Sequence, residues 1–255
     1  KDASALDQEH IHRYALALKS IGNYEESDKW MIKLSNEEDL RGDSFEQNKD
    51  YIQKIKEMSG RFNIENMAIN LDGSDFAPSF YKDGIIFSSD RDTGNLARYR
   101  HTWNSKDFLD LYKVNTDSSS MNFVTKLGDN LNTRLHESTS ITTKDGNTIY
   151  FTRNNFKDGK YVKDEEGVIR LKIFKATLQQ GVWANIMELP FNSDAYSVAH
   201  PSLSPDEKTL YFASDMPGTL GESDIFKVGI NEDGTYGTPE NLGNSINTES
   251  RETFP

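Results

Sequence analysis

Cysteine is absent from the 255-residue chain, which excludes disulfides, thiolate metal sites and cysteine nucleophiles together and leaves the redox compartment undetermined. Positive charge is scarce as well. With 29 Lys and Arg against 41 Asp and Glu, the formal net charge is −12, a field that repels phosphate backbones and anionic lipid surfaces. The expectation is no nucleic-acid partner. No apolar run approaches the roughly 18 residues of a membrane span, so the chain is not expected to cross a membrane. Residue 1 is Lys and no signal-peptide pattern is present, which reads as a mature or trimmed N-terminus. Aromatic residues are plentiful: 14 Phe, 11 Tyr and 3 Trp supply buried area that offsets chain entropy and argue against disorder.

Residues 1–60 hold no Pro and three Gly, with Ile11, Tyr14, Ala15 and Leu18 at helical spacing. Gly22 breaks that pattern, and a second helix follows with Trp30, Met31 and Leu34 on one side. A third, over "DSFEQNKDYIQKIKEM", is expected to start at an Asp43 or Ser44 cap and to present Phe45, Tyr51, Ile52 and Ile55. The first two helices resemble a tetratricopeptide repeat through Tyr14, Ala15, Leu18, Gly22-Asn23-Tyr24, Ser27 and Leu34, departing at Asp39 where that family often has Pro. The plain alternative is a helical hairpin.

From residue 61 the composition shifts to short apolar runs between Gly, Pro, Asn and Asp turn signals. Three units align on turn aspartates Asp83, Asp145 and Asp206, which stand 61 or 62 residues apart. Each returns in an apolar-aromatic pair before Lys: "DLYKV", "KIFKA" and "DIFKV". Pro78, Ser140 and Pro201 precede each turn by five residues, and Pro255 in "RETFP" takes the same role. Asp75, Glu137 and Glu252 precede these by three and are expected to bind neighbouring backbone, with Val198 in that place in the third unit. Strands apolar on both faces need cover on both sides, and radial stacking of four-stranded blades supplies it. Three blades cannot close a ring, so the chain is expected to be part of a longer protein, the alternative being a partner that completes the ring. The fold class is therefore mixed and mainly β: a short tetratricopeptide-like helical region, 1–60, then three units and the start of a fourth of a β-propeller, 61–255.

"SPDEKTLYFASD" with "SDIFKV" resembles the WD40-like propeller repeat of the Pro-Asp class that is shared with TolB-type periplasmic proteins. The longer run, from "WNSKDFLDLYKV" and "RLKIFKAT" through "ELPFNSDAYSVAHPSLSPDEKTLYFASDMPGTLGESDIFKV" to "NLGNSINTESRETFP", is similar to Bacteroidota envelope proteins. Those carry a tetratricopeptide region, a propeller, a small β-sandwich and a C-terminal OmpA-like peptidoglycan-binding domain. The family includes a periplasmic component of the type IX secretion and gliding motility machinery. The resemblance implies a non-enzymatic adaptor in the periplasm at the outer membrane. Its partner would be an outer-membrane β-barrel protein, with peptidoglycan anchoring through an OmpA-like domain beyond residue 255. Composition and spacing alone imply a binding scaffold. The first unit departs by lacking two residues after its turn.

Chemistry-bearing patterns are thin. No G-x-S-x-G occurs. His10 and His12 are two apart, so they point to different sides of a helix, and His136 and His200 stand at different distances from their turn aspartates. Isolated polar or strand-capping roles are expected for them, and no metal or other cofactor. A propeller hydrolase or glycan-binding protein is the rival reading, and a hydrolase of glycosides needs two carboxylates facing one cavity. Asp90, Asp92 and Asp215 follow equivalent strands, although "TRNN" breaks that pattern in the middle unit, and self-bonding in turns is the expectation for such residues. Gly94, Gly218 and Gly221 are expected to serve loop geometry. For partner binding, the candidates are Arg98, Tyr99, Arg100 and Trp103 in the long first-unit loop, the charged excursion "NNFKDGKYVKDEEGVIR", and the helical face with Tyr24 and Trp30. Packing of Trp103 under its own blade is the alternative there.

Overall fold

The computed structural model describes residues 7–91, 100, 105–115 and 123–255. Two compact units divide between residues 65 and 66.

The first unit holds four helices: α1 (Gln8–Ser20), α2 (Tyr24–Ser35), α3 (Leu40–Gln47) and α4 (Tyr51–Met58). Asp7 caps α1 by accepting from the His10 N–H. Ile11, Ala15, Leu18 and Leu34 are buried as the apolar spacing requires. Ser27 is buried and donates to the Ala15 carbonyl at 2.8 Å, so a small residue there ties α2 to α1. The expected third helix is instead two. Asn48, Lys49 and Asp50 interrupt it, and its cap is Asp39, whose carboxylate accepts the Arg41 N–H, rather than Asp43 or Ser44. Asp43 is instead inside α3 and accepts from the Ser35 hydroxyl at 2.7 Å.

Gly42 makes that α2–α3 approach possible. A Cβ at Gly42 would come within 2.1 Å of the Ser35 backbone nitrogen. In an open helix Gly→Ala stabilises by about 1 kcal/mol. Here the clash reverses the sign, and Gly42→Ala lowers the helical melting temperature followed at 222 nm.

The second unit contains three four-stranded antiparallel meanders. Blade 1 is β1 (Asp75–Tyr81), β2 (Gly84–Ser89), β3 (Asp110–Asn115) and β4 (Thr125–Lys126). Blade 2 is β5 (Glu137–Thr142), β6 (Thr148–Asn154), β9 (Leu171–Gln179) and β10 (Val182–Glu188), with a two-stranded hairpin, β7 (Phe156–Lys157) and β8 (Lys160–Tyr161), inserted between its second and third strands. Blade 3 is β11 (Val198–Leu203), β12 (Thr209–Ser214), β13 (Asp224–Gly229) and β14 (Glu240–Asn241). The three first strands lie side by side, β1 against β5 and β5 against β11, which is propeller geometry.

Apolar strand faces meet between blades, as their two-sided patterns demand. Ile86, Leu111, Ile149, Phe151 and Phe174 fill the space between blades 1 and 2. Ile173, Phe191, Leu210, Phe212 and Phe226 fill that between blades 2 and 3. After each fourth strand an asparagine clasps the departing chain to the third strand of the blade it leaves. Asn132 accepts the Leu111 N–H at 2.8 Å and donates to the Leu127 and Leu111 carbonyls. Asn192 accepts from the Ile173 N–H and donates to its carbonyl, at 3.1 and 2.7 Å. Asn247 does the same to Ile225, at 2.8 and 3.0 Å. The third strand thus gains a partner for backbone groups near its start, while the chain leaving the fourth strand is fixed for the next blade.

The turn aspartates act locally. Asp145 accepts from the Thr143 hydroxyl and the Asn147 N–H, and Asp206 from the Ser204 hydroxyl and the Lys208 N–H. In blade 1 the turn is tighter: Tyr81 pairs with Gly84, so only Lys82 and Asp83 lie between, with Lys82 at φ 51°. This is the structural form of the two residues missing from that unit.

Removing one clasp strands two or three buried backbone groups, each worth about 1–3 kcal/mol when unpaired. Asn132→Ala is expected to lower the urea midpoint of unfolding by an amount equivalent to at least about 2 kcal/mol, with an unchanged slope.

Candidate functional site

The first strands carry a repeated irregularity. In blade 1, Phe76 pairs with Ser88 and Ser79 with Ile86, so Ala77 and Pro78 together oppose Phe87. In blade 3, His200 and Pro201 oppose Phe212 in the same way. Proline has no N–H for the ladder, so a two-against-one bulge forms where it stands. Blade 2 has Ser140 in place of Pro. Ser140 keeps its N–H and pairs with Phe151, and the bulge moves one residue earlier, to Ser138 and Thr139. Ala77, His200 and Phe254, each before a Pro, have φ of 53°, 58° and 57°, a left-handed conformation that costs a non-glycine residue about 1–2 kcal/mol.

The bulges aim short polar side chains and one imidazole into a groove of about 290 Å³, lined by Pro78, Ser79, Phe80, Thr139, Ser140, His200, Pro201, Ser202, Phe254 and neighbours. A chain of contacts crosses it from blade to blade. The Ser79 and Ser140 hydroxyls are 3.5 Å apart, and Thr139 Oγ1 lies 3.2 Å from His200 Nδ1 and 2.8 Å from Thr152 Oγ1. The His200 ring then stacks on Phe254 at 4.0 Å between centroids. Phe254 belongs to the segment that starts a further first strand, because Arg251 bridges Ser223 and the Glu252 N–H donates to the Ser223 carbonyl. Phe80 is 88% exposed and Phe254 57%, so two aromatic faces flank a floor of hydroxyls. Burial lowers the His200 pKa to about 4, so the imidazole is neutral. Among the described residues, no charged side chain lines this groove.

His200 also lines a second cavity, of about 140 Å³, together with Asp215, Glu222, Ser223 and Arg251. Asp215 accepts the Ser197 N–H at 2.5 Å and pairs with Arg170 at 3.1 Å. Glu222 pairs with Arg251 at 2.8 Å. Two carboxylates and an imidazole therefore share one small space, each carboxylate held by an arginine.

At the entrance of the blades, the acid pattern works as its spacing suggested. Glu137 accepts the Thr133 N–H and hydroxyl at 2.9 and 2.7 Å, Glu252 accepts the same pair from Thr248, and Asp75 accepts the Leu71 N–H. Two of these acids also hold buried arginines: Asp75 to Arg91 at 2.7 Å and Glu137 to Arg153 at 3.1 Å. The guanidiniums lie over Phe87 and Phe174, at 4.8 and 4.7 Å. Burial pushes the Glu137 carboxyl up, against the lowering by Arg153 and Thr133. For Asp75 burial also raises, but hydrogen bonds from Ser89, Arg91 and Leu71 outweigh it and the carboxyl sits low. Blade 3 places buried Val198 and Met216 there instead, an apolar pair in place of an ionic one, which can be close to neutral in stability.

Several sequence candidates fall elsewhere. Arg98, Tyr99 and Trp103, with Asp92 and Gly94, lie outside the described residues. Arg100 bridges to Asp107, its guanidinium 3.9 Å from that carboxylate. Trp30 packs edge-on to Tyr14 at 5.1 Å with Lys33 over its ring, and Tyr24 is 45% exposed. The excursion after blade 2's second strand is folded: beyond the β7–β8 hairpin, Asp164 accepts the Glu166 and Val168 N–H groups and pairs with Arg170. Asp90 accepts the Ser74 N–H. Gly221 would place a Cβ 2.1 Å from the Ser250 carbonyl, so it serves close approach rather than a turn, while Gly218 has φ 101°. His10 touches its own cap Asp7, His12 sits 3.3 Å from Arg41, and His136 accepts the Leu109 N–H. Among the described residues, no three His, Asp or Glu gather as metal ligands do, and no helix is long and apolar enough to cross a membrane. Sequence reading missed His200 as a groove residue because its spacing differs from that of His136. The Pro-flanked positions 77, 200 and 254 were the available signal.

No family model and no curated protein matches the chain. Among solved structures it is similar to TolB from Acinetobacter baumannii, with 19% identity over 72% of this chain and 34% of that one at a TM-score of 0.44. It is similar to a puromycin-hydrolyzing peptidase of Mycobacterium tuberculosis, with 14% identity, 69% and 23% coverage and a TM-score of 0.42. It is also similar to a thermostable family-43 glycoside hydrolase, with 12% identity, 68% and 56% coverage and a TM-score of 0.42. The chain spans less than two thirds of each. The expectation of a non-enzymatic chain is corrected by these findings: a peptidase and a glycoside hydrolase stand among its structural neighbours.

The neutral His200 sets a pH dependence. Its folded pKa is about 4 against an ordinary 6.5, so below 6.5 the unfolded chain binds a proton that the folded protein refuses. The contribution is complete above pH 6.5 and is lost as pH falls toward 4. His200→Gln is expected to flatten the wild-type fall in melting temperature across that window.

Proposed function

We propose that the chain is a periplasmic β-propeller module that binds a glycan along the groove of its first strands, within an outer-membrane-associated adaptor of the OmpA-family kind. The observation that carries the glycan reading is the groove itself: uncharged, floored by Ser79, Thr139, Ser140 and Ser202, and flanked by the exposed rings of Phe80 and Phe254. Hydroxyls that both donate and accept suit sugar hydroxyls, and a largely pre-formed concave site with few convergent polar groups suits a small ligand. The adaptor setting rests on the repeat motifs and their order. The tetratricopeptide-like hairpin exposes apolar side chains, Tyr14, Leu16, Ile21 and Tyr24, to an outer-membrane β-barrel partner of a type IX secretion or gliding assembly. Peptidoglycan attachment through an OmpA-like domain belongs to the same proposal.

A second reading, glycoside hydrolysis, is favoured by one specific feature: Asp215 and Glu222 share a cavity with His200. Calorimetric titration with chitotetraose and with a peptidoglycan disaccharide tests both readings, followed by analysis of the sugars for cleavage. Binding that weakens about tenfold in Phe254→Ala, a loss of about 1.4 kcal/mol, supports the groove. Cleavage abolished by Asp215→Asn and Glu222→Gln with binding retained supports the hydrolase. No heat and no cleavage with either sugar contradicts the glycan reading in both forms.

A further inference from the structure

Away from the groove, blades 1 and 2 leave a cleft of about 610 Å³ between their outer strands, lined in part by Tyr81, Lys82, Lys113, Lys126, Asp129 and Trp183. We propose that this cleft is a second binding site, for a small ring-bearing monocarboxylate, with Lys82 and Lys113 as its charge partners.

Charge bookkeeping selects the ligand class. Lys126 is committed to Asp110, at 2.6 Å. Lys82 and Lys113 have no carboxylate partner among the described residues; the Lys82 ammonium lies 5.2 Å from the Tyr81 ring centroid, and Lys113 is exposed. Against them stands Asp129, also lining the cleft. Two ammoniums and one carboxylate leave about one positive charge, in a protein whose net charge is −12. A monoanion matches that remainder, and a dianion meets repulsion from Asp129. The walls supply the other half of the recognition. Tyr81 and Trp183 sit 6.2 Å apart at 47°, and Leu178 and Val182 continue the apolar lining, so a ring is favoured over a bare anion. The volume lies within the range of small-molecule sites, about 300–1,000 Å³.

The equivalent place one blade on is filled rather than open. There Lys175, the counterpart of Lys113, lies under two rings, 5.8 Å from Tyr150 and 5.9 Å from Tyr236. Tyr236 reaches the Tyr150 hydroxyl at 3.3 Å and packs edge-on to Phe191. In blade 1 the position of Tyr150 is Ile86, which pairs with Lys113, and the ring that the following blade supplies, Trp183, lies against Tyr81 instead. The tight blade 1 turn brings Lys82 and Tyr81 against Gly146, where a Cβ would meet the Lys82 side chain at 2.8 Å. The two residues missing from that turn thus have a local consequence, a lysine held at the mouth of the cleft.

The test follows the Trp183 indole resonance of the whole chain in a proton–nitrogen correlation spectrum, assigned with Trp183→Phe. The probes are D-glucuronate, benzoate, D-glucose and inorganic phosphate. A saturable shift with glucuronate or benzoate at a Kd near or below about 5 mM, absent with glucose, supports the site, and the stronger of the two assigns a sugar or an aromatic acid. Lys82→Ala with Lys113→Ala, which melt like the parent as exposed substitutions, should weaken binding at least tenfold, whereas Phe254→Ala should leave it unchanged. The proposal is overturned by no saturable shift with either acid, by equal binding of glucose, by tighter binding of phosphate, or by full binding in the double lysine variant. Because Phe254→Ala acts only on the groove, failure here and failure of the groove reading are distinguishable.

Discussion

Everything in the propeller unit depends on handing the chain from one blade to the next without stranding backbone polar groups. A meander ends at its fourth strand, and the next blade begins roughly a layer away, so the connecting segment must cross buried backbone. Asn132, Asn192 and Asn247 meet that constraint with one side chain each, donating to and accepting from the same residue of the preceding third strand. An amide is suited to this because it carries both a donor and an acceptor in one plane. The apolar layers of Phe, Ile and Leu supply the larger burial, but they are non-directional. The clasps supply the register.

That fixed register is what makes the first strands a usable surface. Bulges at Ala77-Pro78 and His200-Pro201 bend the strands at one level, and Phe254-Pro255 begins the same pattern. Strained backbone persists where its surroundings over-determine it and often marks function. Variation between blades then falls where it leaves the frame intact. The ion pairs Asp75–Arg91 and Glu137–Arg153 give way to Val198 and Met216, and Pro78 and Pro201 to Ser140, each within an unchanged strand order.

Much of this was legible in the sequence because it is periodic. The spacing of Asp83, Asp145 and Asp206 and the paired apolar-aromatic motifs located the meanders, and the acids Asp75, Glu137 and Glu252 were read as binding nearby backbone, which they do. The break between α3 and α4 was not legible, because Asn48, Lys49 and Asp50 are polar residues that a helix surface accommodates. The clasp asparagines stood in "LNT", "FNS" and "INT" but resemble ordinary turn residues until a third strand is placed beside them. Non-local geometry hid the rest. His200 reaches Thr139 and Phe254 across blades, and Tyr81 meets Trp183 from a hundred residues away. Neither pair leaves a local pattern.

The most direct test of the clasped-blade account is amide hydrogen exchange of the native chain, read at Leu111, Ile173 and Ile225. Their N–H groups are held by asparagine side chains in place of a strand neighbour. The account places these three amides in the slowest-exchanging class, opening only with global unfolding of the propeller unit. Exchange at rates typical of exposed turns, while neighbouring strand amides stay protected, would show that the blades hold their register without the clasps and would contradict it.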